Sequence, residues 1–225
     1  MPTSRRDILK ILSGVAASAP FFVPHAGFGS EPFPQTALAL RDARLNERRA
    51  YKRYIAATKQ AANENYLGVA YLFTALGTSE LIHAQNYERV LSVLGHPIEE
   101  LEFPDFEVSG TKNNLIRSAE AEINSIENFY PSVVERLQSE LHEDAQRVVG
   151  YSWESHKQHR EIIDKVLRWS PSKFEKVARK IDKKTDKYYV CQICGSTDVE
   201  IPEESCEICS NGPDNYRLIA PDVFL

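Results

Sequence analysis

The chain has 225 residues, of which 42% are hydrophobic and 26% charged, a balance that suits one sizeable core plus a small module and excludes a disordered or membrane-embedded protein. Its net charge of −5 argues against nucleic acid as a partner, because phosphate binders carry a basic surface. No apolar run reaches the roughly 20 residues of a membrane-spanning helix.

The chain opens with Ser4-Arg5-Arg6-Asp7-Ile8-Leu9-Lys10, which resembles a twin-arginine export signal with Ile8 at its usually apolar position. A weakly apolar stretch, Ile11 to Val23, follows, and residues 1–30 are set aside from the fold as a signal peptide. Ala17-Ser18-Ala19 fits a small-x-small cleavage pattern, but Pro20 comes next, so an uncleaved signal would leave the protein anchored to the membrane. The resemblance implies a periplasmic protein carried by the export machinery for folded, cofactor-loaded cargo.

Residues 36–170 read as helical, because apolar residues recur at alternating steps of three and four. The first helix places Leu40, Ala43, Glu47, Ala50, Tyr54 and Ala57 on one seam. The second places Val69, Phe73, Leu76, Glu80, His83, Tyr87, Val90 and Leu94 there, and Gly95-His96-Pro97 stops it. A long connection containing Pro104 and Gly110 leads to a third helix with Leu115, Ala119, Glu122, Ile126 and Phe129 on its seam, kinked or interrupted at Pro131. The fourth carries Ala145, Val149, Ser152, His156, His159, Ile163 and Val166, and Ser170-Pro171 ends it. Four helices with a long crossover between the second and third match a ferritin-like four-helix bundle, so the fold is mainly α.

Each seam is apolar except near its middle. There Glu47, Glu80 with His83, Glu122, and His156 with His159 would point into the core. A lone seam glutamate is more often a misread helix phase, and a lone histidine a satisfied core residue. Four helices agreeing on one layer are different, because buried carboxylates without partners are costly and a metal centre compensates all of them at once.

Residues 171–187 are rich in lysine, with Asp and Glu interspersed, and read as a solvated linker. Residues 188–225 then form a small β module, rubredoxin-like or zinc-ribbon in type. Its Cys191-Gln192-Ile193-Cys194 and Cys206-Glu207-Ile208-Cys209 turns, eleven residues apart, use every cysteine of the chain. Two such turns form a tetrahedral four-thiolate site for iron or zinc. The alternative, two disulfides, is disfavoured because cysteines three apart rarely meet disulfide geometry.

These motifs together resemble the rubrerythrin family, in which a ferritin-like di-iron bundle is joined to a C-terminal rubredoxin-like iron site. Asn46-Glu47-Arg48-Arg49-Ala50-Tyr51-Lys52-Arg53-Tyr54 is similar to the family's first-helix motif, with Tyr seven residues after Glu. Glu80-Leu81-Ile82-His83 is similar to its Glu-x-x-His motif. Asn114-Leu115 through Ala121-Glu122 to Tyr130-Pro131 resembles the third-helix signature, and Tyr189-Val190-Cys191 opens the cysteine module. The resemblance implies Glu47, Glu80, His83 and Glu122 as metal ligands and catalytic residues, with Tyr54 and Tyr130 hydrogen-bonded to ligand carboxylates. It also implies a homodimer paired head to tail, in which one chain's cysteine site serves the partner's bundle.

The departures from the family pattern bear on the metal centre. Ser125 stands where the family has a further glutamate three residues after the third-helix ligand. His156-x-x-His159 stands where it has Glu-x-x-His with a bridging glutamate. Glu154 lies two residues off the seam and cannot take that place. The expectation is a di-iron centre held by Glu47, Glu80, His83, Glu122, His156 and His159. It is either asymmetric, with Glu80 as the sole protein bridge, or incomplete, because a neutral imidazole offers one lone pair to one metal. Ser196 and Glu207 replace the aromatic and proline that often follow knuckle cysteines, which favours zinc over electron-transfer iron.

The resulting expectation is an exported non-haem iron oxidoreductase. Its substrate would be hydrogen peroxide or dioxygen, reduced at the bundle centre with electrons from an unidentified donor relayed through the four-cysteine site. The rival expectation is a non-enzymatic protein that stores, buffers or senses iron, with zinc holding the cysteine module as structure. A zinc-ribbon adaptor is disfavoured by export and acidity.

Overall fold

The long helices follow from sequence signals that the structure, a computed structural model, places in space. It describes residues 32–104, 106–167, 174 and 187–224, the side chains of 166 and 167 excepted. The signal segment and all of the linker but Phe174 and Lys187 lie outside the described residues.

Helix α1 (Pro34–Asn63) begins with a proline in its first turn, where the missing N–H costs nothing. Helix α2 (Leu67–Val93) ends where Gly95 takes a φ of 79°, and the N–H of His96 returns to the carbonyl of Leu91 at 2.9 Å. This is the glycine-terminated wrap that satisfies the last carbonyls of a helix. After the long crossover come α3 (Thr111–Asn124), a π-helical turn (Ser125–Phe129) and α4 (Tyr130–Leu137) in unbroken succession, and then α5 (Glu143–Leu167).

Neither α1 nor α3 carries a side-chain cap at its own N-cap residue. Glutamates from elsewhere fill both gaps. Glu140, in the α4–α5 loop, accepts from the N–H groups of Gln35 and Thr36 at 3.0 and 2.8 Å. Glu64, just past α1, accepts from the N–H of Thr111 at 3.0 Å. A carboxylate at a helix start satisfies orphan donors and meets the positive end of the helix dipole.

The seam residues expected on α1 and α2 are all buried, as are those on α5 up to Ile163. The third helix departs from the expectation. Ile126 and Phe129 are only half-buried, whereas Ser125 and Tyr130 are buried. The π turn inserts one extra residue, so the inward positions run Glu122, Ser125, Tyr130, Val133, Leu137. Pro131 lies just past the π turn that interrupts the third helix. It occupies the first turn of α4, where proline is tolerated. The carbonyl of Ile126 within the π turn accepts from Trp153 Nε1 at 3.1 Å.

The bundle core is two apolar clusters. One gathers Tyr54, Leu72, Phe73, Leu76, Leu115 and Ile163, and the other Leu40, Tyr87, Leu91, Tyr130, Leu137 and Val149. On α1, α3 and α5 the ionisable seam positions lie between the two clusters in sequence, and on α2 His83 does so. No helix among the described residues is long and apolar enough to cross a membrane.

The C-terminal module is a three-stranded antiparallel sheet in the order β2-β1-β3, from β1 (Tyr189–Cys191), β2 (Thr197–Asp198) and β3 (Tyr216–Leu218). It packs on the bundle of its own chain. Tyr188, Val190 and Ile219 join the first apolar cluster, and Tyr71 Oη donates to the carbonyl of Ile219 at 2.7 Å.

Candidate metal centres

The first centre is assembled from four helices. Glu47 comes from α1, Glu80 and His83 from α2, Glu122 from the end of α3, and His156 and His159 from α5. All six are between 0% and 3% exposed, so none is hydrated enough to hold its charge without partners. They form two overlapping four-residue sets, Glu47-Glu80-His83-His156 and Glu80-Glu122-His156-His159, whose donor atoms lie within 4.8 Å of one another.

Each outer carboxylate has one oxygen tied back by a tyrosine. Tyr130 Oη donates to Glu47 Oε1 at 2.6 Å, and Asn46 Nδ2 donates to the same oxygen at 3.1 Å. Tyr54 Oη donates to Glu122 Oε1 at 2.8 Å. The other oxygen of each carboxylate faces the imidazoles. Glu47 Oε2 is 3.4 Å from His83 Nδ1 and 3.2 Å from His156 Nε2, and Glu122 Oε2 meets His156 Nδ1. Burial pushes the tyrosine hydroxyls well above their usual range, so they act as donors.

Burial also acts on the centre's charged groups, but their mutual attraction wins. Burial would raise Glu47, yet His156 and His83 hold its carboxyl well below the usual range. Burial would lower His83, yet Glu47 and Glu80 push it up to about 9. His156 likewise lies well above the ordinary imidazole value, against burial, chiefly through Glu122. Opposing shifts gathered in one layer are a feature that functional sites share with buried ion-pair networks.

A metal fits the donor set on a specific observation. Glu80 Oε1 and His159 Nδ1 are both buried without a hydrogen-bond partner, and they face each other across 3.3 Å. Buried orphans are rare in a folded chain, and a shared cation satisfies both. Ser125 is buried beside the cluster but brings no charge. Glu154 points away and pairs with Lys157 at 2.6 Å on the surface.

The second centre is the cysteine cluster. Cys191, Cys194, Cys206 and Cys209 are free thiols with Sγ atoms close together, Cys191 and Cys209 at 3.7 Å and Cys194 and Cys206 at 3.5 Å. A disulfide would bring sulfurs to about 2.05 Å. Four sulfurs bound at about 2.3 Å around one ion form a tetrahedron with edges near 3.8 Å, close to these separations. The two knuckles are built alike. The residue after each second cysteine, Gly195 or Ser210, has a positive φ, 83° and 57°, and its N–H returns to the carbonyl of the first cysteine.

The two centres touch through main-chain atoms of the first knuckle. Asn86 Nδ2 donates to the Ile193 carbonyl at 2.8 Å, His83 Nε2 to the Cys194 carbonyl at 3.0 Å, and Ser79 Oγ to the Gly195 carbonyl at 2.6 Å. Ser155 Oγ reaches the same Gly195 carbonyl at 3.2 Å, and Gln158 accepts from the N–H of Thr197 at 2.7 Å. A carbonyl only accepts, so His83 Nε2 carries a proton, and Nδ1 is the nitrogen turned to Glu47 and Glu80. A Cβ on Gly195 would lie 2.4 Å from His83 Nε2 and 2.6 Å from Ser79 Oγ.

Comparison with known proteins agrees with this arrangement. Residues 39–167 match the family described as Rubrerythrin. The chain belongs to the rubrerythrin family. Rubrerythrin-2 of Clostridium acetobutylicum is 28% identical over 182 residues, covering 81% of this chain and 95% of that one. Nigerythrin of Nitratidesulfovibrio vulgaris is 25% identical over 178 residues, covering 79% and 83%. Among solved structures, a fully reduced, all-ferrous state of nigerythrin superposes with a TM-score of 0.68 at 25% identity, covering 81% of this chain and 86% of that one. A mixed-valence state of nigerythrin gives the same TM-score at 26% identity. As a rubrerythrin-type chain the protein is a non-haem di-iron protein, and its family implies iron as the metal.

The structure brings together Glu47, Glu80, His83, Glu122, His156 and His159, places Tyr54 and Tyr130 on two of the carboxylates, and gathers the four cysteines. Asn46 and the docking residues Ser79, Asn86, Ser155, Gln158 and Gly195 were not anticipated from sequence. Their signal was faint: small polar residues flanking the ionisable seam positions on α2 and α5.

Proposed function

We propose that the protein is a peroxidase that reduces hydrogen peroxide at the bundle centre, with electrons passed in from the four-cysteine site. The observation that carries this reading is the position of His83, whose ring spans the two sites, with Nε2 on the Cys194 carbonyl and Nδ1 3.0 Å from Glu80 Oε2. An iron pair held by Glu47, Glu80, Glu122, His83, His156 and His159 would supply together the two electrons that O–O cleavage takes. Peroxide takes up those two electrons and two protons and leaves as two waters.

The chain's own part is to exclude, orient and connect. The two apolar clusters keep bulk water from the ligand layer, which strengthens every electrostatic contact inside it. Tyr54 and Tyr130 fix the carboxylate orientations. An electron leaving the Cys194 sulfur has a path along that residue's own bonds to its carbonyl, across one hydrogen bond to His83, and through the ring to the centre. This path is complete within one chain, so it does not call for the trans pairing that a head-to-tail dimer would provide.

The test is a single substitution with two readouts. Glu80→Gln keeps the side-chain volume and removes its charge. Bundle iron and anaerobic peroxide consumption should be lost together, while the red colour of oxidised four-cysteine iron persists. Peroxide turnover at the parent rate by Glu80→Gln would overturn the reading. Colourless protein with zinc in the cysteine site would remove the relay.

The export reading rests on Arg5-Arg6 and the apolar stretch behind it. Changing both arginines to lysine should strand the precursor in the cytoplasm, and undiminished export of that variant would refute it.

A further inference from the structure

His156 stands where the family pattern has a bridging glutamate. Its two ring nitrogens face different donor sets. Nδ1 meets Glu122 Oε2, in the set that also holds His159. Nε2 lies 3.2 Å from Glu47 Oε2 and 3.5 Å from Glu80 Oε2, in the set that also holds His83. Glu80 divides itself the same way, with Oε2 3.0 Å from His83 Nδ1 and Oε1 3.3 Å from His159 Nδ1. Only Glu80 and His156 belong to both sets.

We infer that His156 bridges two metal ions through its two nitrogens, one ion in each donor set, with Glu80 as the parallel carboxylate bridge. This rests on the di-metal reading of the site but not on peroxidase activity. As the second ion enters, the ring's remaining N–H proton leaves to bulk water and the ring binds as imidazolate. The charge then closes. Glu47, Glu80 and Glu122 contribute three negative charges and the imidazolate a fourth, against four positive charges from two ferrous ions. No further anion is needed in a layer where an uncompensated charge would be costly. That matters here, because Ser125 is uncharged and Glu154 is engaged with Lys157 at the surface.

The geometry has a measurable signature. A pair bridged by carboxylates and solvent sits about 3.5–4 Å apart. Two metal–nitrogen bonds of about 2 Å on opposite edges of one ring push the ions to roughly 5–6 Å. The experiment loads the full chain anaerobically with Fe(II). It then reads iron per bundle, after subtracting the four-cysteine iron, and the iron–iron distance by X-ray absorption and anomalous diffraction. Two bundle irons roughly 5–6 Å apart support the bridge. Two irons about 3.5–4 Å apart, or a single iron, overturn it while leaving the bundle an iron site. No bundle iron overturns both this inference and the proposed function. His156→Glu gives the independent arm. It should retain two irons and shorten their separation to about 4 Å, and an unchanged separation would show that His156 does not set the spacing. His156→Gln, which cannot bridge through two nitrogens, should hold one bundle iron, and retention of both would count against the bridge.

Discussion

His83 and Gly195 approach so closely that the glycine has no room for a side chain: a Cβ there would lie 2.4 Å from His83 Nε2. The residue also sits at a φ of 83°, which costs a side-chain-bearing residue about 1–2 kcal/mol by itself. Gly195→Ala should therefore push the knuckle away from the His83 ring without replacing any metal ligand. Metal content should stay at the parent level, whereas the rate at which the bundle iron is reduced through the four-cysteine site should fall at least tenfold in stopped-flow absorbance. A parent-like rate would mean that the His83–Cys194 contact is not the path.

The cysteine module has little core of its own, so its fold depends on its ion. Cys194→Ser or Cys206→Ser should each lose one metal per chain by elemental analysis and leave the far-ultraviolet helical signal nearly unchanged. If both variants keep that metal, the four-thiolate assignment fails.

Tyr130→Phe and Tyr54→Phe keep the ring and remove the donor to a buried carboxylate. A hydrogen bond to a charged group contributes about 1.5–3 kcal/mol, so each variant should be destabilised by that order in chemical denaturation. Tyr130→Phe should weaken iron binding less than its stability loss suggests, because Asn46 still donates to Glu47 Oε1 at 3.1 Å. The double change Asn46→Ala with Tyr130→Phe should exceed the sum of the single effects.

Glu140 and Glu64 give a pH signature remote from the metal. Slight burial would raise both carboxyls, but donors outweigh it and hold them below the usual range: the N–H groups of Thr36 and Gln35 for Glu140, and Thr111 and Gln60 for Glu64. A depressed folded value means stabilisation present above the unfolded value, about 4.3, and lost as pH falls through the folded one. Glu140→Ala should lower Tm by roughly 2–4 °C at neutral pH, the scale of a lost cap of about 1 kcal/mol. The gap from the parent should close in acid below about pH 4. A gap that persists at pH 3 would assign the effect to packing.

Much of the bundle was legible because seam periodicity and burial are the same physical fact on a regular helix. Leu40 through Ala57 and Val69 through Leu94 show it directly. The third helix was legible only as far as Glu122. A fixed step of three or four cannot register a π turn, which here leaves Glu122 and Tyr130 both facing the centre at a spacing of eight. The ligand layer was readable as charges breaking an apolar seam. The dual orientation of His156 was not, since a sequence states which residue faces inward and not which way its ring turns. The docking of the cysteine module was invisible for a plainer reason: carbonyl oxygens are common to every residue.

That last property has an evolutionary consequence. Asn86, His83, Ser79 and Ser155 address three successive carbonyls, those of Ile193, Cys194 and Gly195. The bundle thus recognises the contour of the knuckle rather than its lettering. Apart from the cysteines and Gly195, the knuckle is free to drift, and grafts between distant relatives should seat as well as the native segment. The helical half has no such freedom at Ser79, His83, Asn86 and Ser155, so selection on the knuckle contact falls on the helices, while the module is held by its own side chains at Tyr188, Val190, Ile219 and the Gln158 partners Ser196 and Asp198.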